Sequence, residues 1–142
     1  RVEPSNERVK VWLGGNLIAD TSDALRVLET SHPPVYYLPL DVFAPGVLQP
    51  VSGITHCEFK GAAAYFDVVS GPQRAARAAW TYPHPFPGYE ELSHTAALYP
   101  GLMNSVTVDG EEVQPQEGDF YGGWITSRVT GPFKGAPGTW GW

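Results

Sequence analysis

A chain of 142 residues, 42% apolar and 17% charged, is long enough to close one ordinary core, so a single domain over residues 1–142 is expected. A net charge of −6 argues against double-stranded nucleic acid as a partner, because phosphate binding draws on clustered Lys and Arg. One cysteine excludes an internal disulfide framework, and no apolar run suits a membrane span or a signal-peptide core, so a cytoplasmic protein without a membrane partner is expected.

Sixteen Gly and fourteen Pro separate short apolar segments, which favours short strands and ordered turns over long helices. Val9 to Leu13 and Leu17 to Ala19 read as a hairpin closed by Gly14, Gly15 and Asn16. Thr21 or Ser22 is then placed to cap a short helix over Asp23 to Glu29, since Ala24, Leu25, Val27 and Leu28 share one face at helical spacing. Pro33 and Pro34 force a turn before a strand from Val35 to Leu38. Asp41 to Gly53 reads as a loop with one helical turn. A second hairpin is expected from Ile54 to Phe59 and Ala63 to Val69, turning at Lys60 and Gly61. Arg74 to Trp80 fits a strand better than a helix, and Pro83, Pro85 and Pro87 hold the next segment extended as a surface connection. Strands follow at Thr95 to Tyr99 and Ser105 to Val108, with Asp109-Gly110 as the turn into Glu112 and Val113. Beyond Gln114 the chain must gain its order by packing rings, with Trp124, Phe133, Trp140 and Trp142 supplying the area. Phe59-Lys60-Gly61-Ala62 recurs as Phe133-Lys134-Gly135-Ala136, which reads as repeated turn chemistry rather than duplication.

Two runs carry candidate chemistry. From Arg26 to Tyr37 the chain sets a cation, the Glu29 carboxylate, the His32 imidazole and the phenols of Tyr36 and Tyr37 around one rigid Pro-Pro turn. Arg26 would hold an anion and His32 would move a proton near neutral pH; the plainer alternative makes Arg26 and Glu29 a surface pair and His32 a complement to a helix end. From Thr55 to Gly61, Cys57 lies between His56 and Glu58 with Lys60 close behind. A nucleophilic thiol needs a nearby base or cation. On a strand His56 and Cys57 point to opposite faces, so the base would come from elsewhere, such as His32. The plainer alternative is a small buried cysteine. No metal site is indicated, since His32, His56, His84 and His94 lack ligand spacing. Gly14-Gly15, Gly122-Gly123 and Gly131 to Gly138 match no nucleotide fingerprint. Lys60 and Lys134, each before a glycine, remain candidates to meet a phosphate.

RVLETSHPPVYYLP, THCEFKGAAAYF, AAWTYP and VDGEEVQPQEGDFYGGWITSRVTGPFKGAPGTWGW closely resemble, in order and over nearly the whole chain, the bacterial family of domain of unknown function four hundred and twenty-seven, in its actinobacterial branch. The chain departs from that pattern with Ser31 for the usual Gly, Glu58 for Pro and Phe66 for Trp. The resemblance implies a compact β-rich domain without an established activity. A nucleotidyltransferase-like label attached to such families finds no support in the residues, which lack an Asp-x-Asp or Asp-x-Glu pair beside a Gly-Ser turn.

The fold expected is therefore mainly β: short antiparallel strands in a barrel- or sandwich-like domain with one or two short helices, or, as the alternative, α+β. The first functional hypothesis is a pocket for an unidentified small anionic molecule. His32 and Cys57 are its candidate catalytic residues and Arg26, Glu29, Tyr36, Tyr37, His56 and Lys60 its candidate binding residues; no cofactor is identified. The second is a non-enzymatic interaction domain whose aromatic C-terminus forms a homodimer or partner surface. A redox role for Cys57 is the third.

Overall fold

A computed structural model of the protein describes residues 1–29, 32–58, 60–116 and 122–129, with the backbone alone over 53–58. Phe133, Lys134, Trp140 and Trp142, and with them the second FKGA run, lie outside the described residues. The described chain forms strands β1 (Val2–Ser5), β2 (Val9–Leu13), β3 (Asn16–Thr21), β4 (Ala24–Val27), β5 (Val35–Pro39), β6 (Leu48–Glu58), β7 (Gly61–Ser70), β8 (Gln73–Thr81), β9 (Thr95–Leu98), β10 (Ser105–Val108), β11 (Glu111–Glu112), β12 (Gln114–Pro115) and β13 (Trp124–Ile125), with three short 3-10 turns. A seven-stranded sheet runs β1-β4-β5-β9-β8-β7-β6, a four-stranded sheet β11-β10-β2-β3, and β12 pairs with β13. The pairings are antiparallel, so the expected mainly β, sandwich-like architecture is the one adopted.

Turn chemistry sets the hairpins. Leu13 pairs with Asn16 and Val108 with Glu111, leaving two-residue loops at Gly14-Gly15 and Asp109-Gly110, and all four loop residues have positive φ. That is the turn whose twist matches paired strands. At Gly14 an added Cβ would also lie 2.2 Å from the Ser70 carbonyl oxygen, so this turn fits against the β7–β8 turn only without a side chain.

The expected helix over Asp23 to Glu29 is not formed; its place is taken by β4, paired on one side with β1 and on the other with β5. The Thr21 hydroxyl does accept a backbone N–H, but from Asp23 two residues on at 3.0 Å, which closes a local turn instead of capping a helix. The run Ala24, Leu25, Arg26, Val27 satisfies a period of two as well as 3.6. The strand wins because ladders on both sides take up its backbone groups while both faces find apolar cover. β1, where the sequence suggests no element, carries Pro4 at the sheet edge, where a residue without an N–H is tolerated. The same holds for β6, which begins at Leu48 inside the expected loop and carries Pro50 on the opposite edge.

The two faces of the large sheet carry different apolar clusters. Ala24, Tyr36, Leu38, Ala79, Ala96 and Leu98 face the small sheet and meet its Val9, Val11, Ile18, Val106 and Val108 in the main core. Tyr37, Trp80 and Ala97, their neighbours along the chain, together with Val27 of β4, point the other way and form a second cluster with Tyr82, Ala63 and Leu92, as the pleat requires. Each fully buried aliphatic side chain in the main core adds roughly 1.5–3 kcal/mol. No helix among the described residues is long and apolar enough to cross a membrane.

Candidate functional site

Strand register assembles the second cluster. Tyr37 on β5 pairs with Ala97 on β9, Ala97 with Trp80 on β8, and Trp80 with Tyr65 on β7, so these residues form one row across four strands. The small Ala97 lets the two large rings beside it meet edge to face, 6.4 Å apart at 89°, and the Trp80 indole N–H donates to the Tyr37 hydroxyl at 3.2 Å. Tyr99 leans on Trp80 at 4.6 Å and Tyr82 on Tyr37 at 6.3 Å. These rings wall a cavity of about 200 Å³, open to solvent, with Glu29, His32, Lys60 and Gln116 among its lining.

Two turns deliver Glu29, His32 and Lys60. The Glu29 carbonyl accepts the His32 N–H at 3.2 Å, which folds both residues to the same cavity ahead of the buried Pro33 and Pro34. Lys60 stands in the β6–β7 turn, and its carbonyl accepts the Phe86 N–H at 2.9 Å. The proline-spaced segment thus braces this turn across Gly61, where an added Cβ would approach the His84 carbonyl oxygen to 3.1 Å. The Lys60 ammonium meets the Glu29 carboxylate at 2.7 Å, with the lysine side chain 9% exposed and the glutamate 32%. Gln116 Nε2 lies 3.5 Å from His32 Nδ1. The remaining wall is Gly122-Gly123, where an added Cβ would fall 2.5 Å from the Trp80 ring at the first position and 2.2 Å from Pro33 at the second. The segment stays in place through Trp124, whose backbone N–H donates to the Pro34 carbonyl at 2.9 Å and whose ring stacks on Tyr36 at 4.8 Å.

Of the residues singled out in the sequence, Glu29, His32, Tyr37 and Lys60 share this cavity. Arg26 and Tyr36 do not. They are register partners on β4 and β5, and Tyr36 belongs to the main core on the opposite face of the sheet. There the Tyr36 hydroxyl donates to the Glu7 carboxylate at 2.7 Å, and Arg26 bonds Glu3 and Glu7. Arg26 and Lys60 therefore do not grip one anion together, and Arg26 does not form the expected surface pair with Glu29. At the backbone, His56 is opposite Ala63 and Cys57 opposite Ala62; the side chains of both lie outside the described residues. Sequence reasoning passed over Tyr65, Trp80, Tyr82 and Tyr99. They are spread over distant segments, with only Trp80 and Tyr82 two positions apart.

Glu7 is a second charged centre. It accepts from Ser5, Tyr36 and Arg26, and from Arg128 of the C-terminal segment. Burial alone would push its carboxyl up, but these bonds and the Arg26 charge outweigh burial and hold it below its ordinary value. Burial and the bond to Glu7 push the Tyr36 phenol well up. Among the described residues no group of three His, Cys, Asp or Glu side chains is placed to hold a metal ion.

A family model described as Domain of unknown function (DUF427) matches residues 1–111 of the chain. No curated protein matches it.

Proposed function

The chain belongs to the DUF427 family, whose description assigns no activity, and from that premise we propose that it binds a small molecule in the aromatic cavity, with Lys60 receiving an anionic group of the ligand. The observation that carries this reading is Lys60 itself, an ammonium withdrawn from solvent at the edge of a ring-lined cavity. Removing a charge from water is costly unless partners compensate it, and Glu29, a partner at 2.7 Å, is the more exposed of the two. A cavity of about 200 Å³ lies below the roughly 300–1,000 Å³ of pockets for drug-sized ligands. That size suits a small ligand rather than a large one. His32, on the rim beside Gln116, is the group that would exchange a proton with such a ligand.

A thermal-shift screen of small carboxylates and inorganic phosphate on the native chain and on Lys60→Met tests the reading. A ligand at a hundred times its Kd adds about 2.7 kcal/mol, which raises the Tm of a domain this size by several degrees. Shifts that vanish in Lys60→Met support the site. Shifts of undiminished size in the variant, or none with any compound, would overturn it.

A further inference from the structure

We propose that Arg77 is a positioning residue of this cavity: a bulge in β8 turns its guanidinium over the Tyr65 ring and holds that ring as a wall, which limits the size of the ligand admitted. The inference rests on the small-molecule reading above and names the group that sets its selectivity.

Strand register shows what the bulge does. Phe66 pairs with Ala79 and Val68 with Ala75, so β8 carries extra residues opposite Asp67. Ala75 and Ala79 both pack on the main core, and strict alternation would send Arg77, midway between them, into the same apolar layer. Instead Arg77 takes a φ of +51°, a left-handed conformation that is costly for a residue with a Cβ and persists only where its surroundings fix it. The neighbouring strand does so. The Asp67 carboxylate accepts the Arg77 backbone N–H at 2.8 Å and the Arg74 guanidinium at 2.6 Å. The fully buried Ala78 then fills the place in the main core, and the Arg77 side chain comes out over Tyr65, with its guanidinium carbon 5.4 Å from the ring centroid.

Keeping an arginine out of an apolar core explains the reversal of Arg77 and Ala78, but not where the guanidinium ends. A solvated cation needs no ring beneath it. This one covers Tyr65, which lines the cavity beside its register partner Trp80, while Arg77 itself is exposed and stands outside the described lining. The cation attracts the face of the ring, so the ring loses that contact if it swings outward. Bulges beside binding sites re-aim side chains in this way.

The test compares the native chain with Arg77→Gly, in which glycine accepts the same φ and the bulge keeps its shape, and with Arg77→Lys, which keeps a cation. N-acetylimidazole acetylates tyrosine hydroxyls, and peptide mapping by mass spectrometry reads the rate at Tyr65 against that at Tyr82 in the same sample. A cation–ring contact at an exposed site shifts a population about two- to fivefold. The Tyr65-to-Tyr82 rate ratio should therefore rise about two- to fivefold in Arg77→Gly and return part of the way in Arg77→Lys. A general loss of stability would raise both rates together, so the ratio separates positioning from folding. Calorimetry with benzoate, one ring, and 2-naphthoate, two fused rings, should show the preference for benzoate falling by a similar factor in Arg77→Gly. A rate ratio unchanged in Arg77→Gly, or raised as far in Arg77→Lys, overturns the hold on Tyr65. A freed Tyr65 with an unchanged benzoate-to-naphthoate ratio overturns the role in selectivity and leaves the small-molecule reading standing. If neither acid binds the native chain, both readings fall.

Discussion

Replacing Glu7 by Gln keeps the shape of the side chain and removes its charge from the centre of a network that ties three parts of the chain. The Glu7 side chain is 11% exposed, and it receives Tyr36 at 2.7 Å, Ser5 at 2.8 Å and Arg26 at 3.4 Å. Hydrogen bonds to a charged acceptor are worth about 1.5–3 kcal/mol each, whereas the bond from the 54%-exposed Arg128 adds little. Removing one partner of a buried pair costs about 3–5 kcal/mol. Since Gln keeps one acceptor oxygen, a loss of about 2–4 kcal/mol at pH 7 is expected. The pH dependence adds a sharper criterion. The carboxyl of Glu7 sits below its ordinary value of 4.5 in the folded chain, so its contribution is full above that value and disappears as pH falls through the folded pKa. Urea unfolding followed by tryptophan fluorescence should show a constant gap between native chain and Glu7→Gln from pH 7 to about 5, narrowing below 4.5. Tyr36→Phe should cost about 1–2 kcal/mol, and the double variant less than the sum. A gap under about 0.5 kcal/mol at pH 7, or one that persists undiminished at pH 3, would refute the network as the source of stability. Ligand affinity should be unchanged in Glu7→Gln, because the cavity opens on the other face of the sheet.

Gly123→Ala should destabilise by about 1–3 kcal/mol in thermal unfolding, the usual cost of overpacking, because its Cβ would press on Pro33 at 2.2 Å and on Gln116 at 2.5 Å; a neutral outcome would mean that this wall yields freely. Trp124→Ala should cost about 3–5 kcal/mol, since the ring is fully buried against Tyr36 and the main core, and its near-ultraviolet circular dichroism should lose intensity. At high pH the Tyr36 phenol, raised above its ordinary value of 10.0, stays protonated in the folded chain after the unfolded chain has begun to ionise. Stability is therefore full below pH 10 and falls above it; in Tyr36→Phe the alkaline limb of the urea-midpoint profile should be shallower.

What the sequence made legible was mostly local. Gly14-Gly15 and Asp109-Gly110 announce their hairpins because few other residues accept positive φ, and Glu29 and His32, read in one compact motif, line the same cavity. β4 is ambiguous in the sequence because the run from Ala24 to Val27 fits two periodicities, and only the neighbouring strands decide between them. The cavity was legible in its polar half, carried by two compact motifs. Its aromatic half was not, since Tyr65, Trp80 and Tyr37 become neighbours only through the register of β7, β8, β9 and β5. Arg26 was misplaced for the same reason: one residue along a strand is the opposite face of the sheet.

That alternation reaches into how the protein tolerates change. Arg26 and Val27, Tyr36 and Tyr37, Ala96 and Ala97 are adjacent in the chain, yet one member of each pair faces the main core or its ion network and the other the ring-lined face. Random substitution along β4, β5 and β9 therefore samples two packed clusters in turn, and a change on the ring-lined face alters packing and cavity shape together. Val27, Tyr37 and Ala97 are as buried as their counterparts on the main-core side, so any remodelling of the cavity is bounded by the stability the chain can lose.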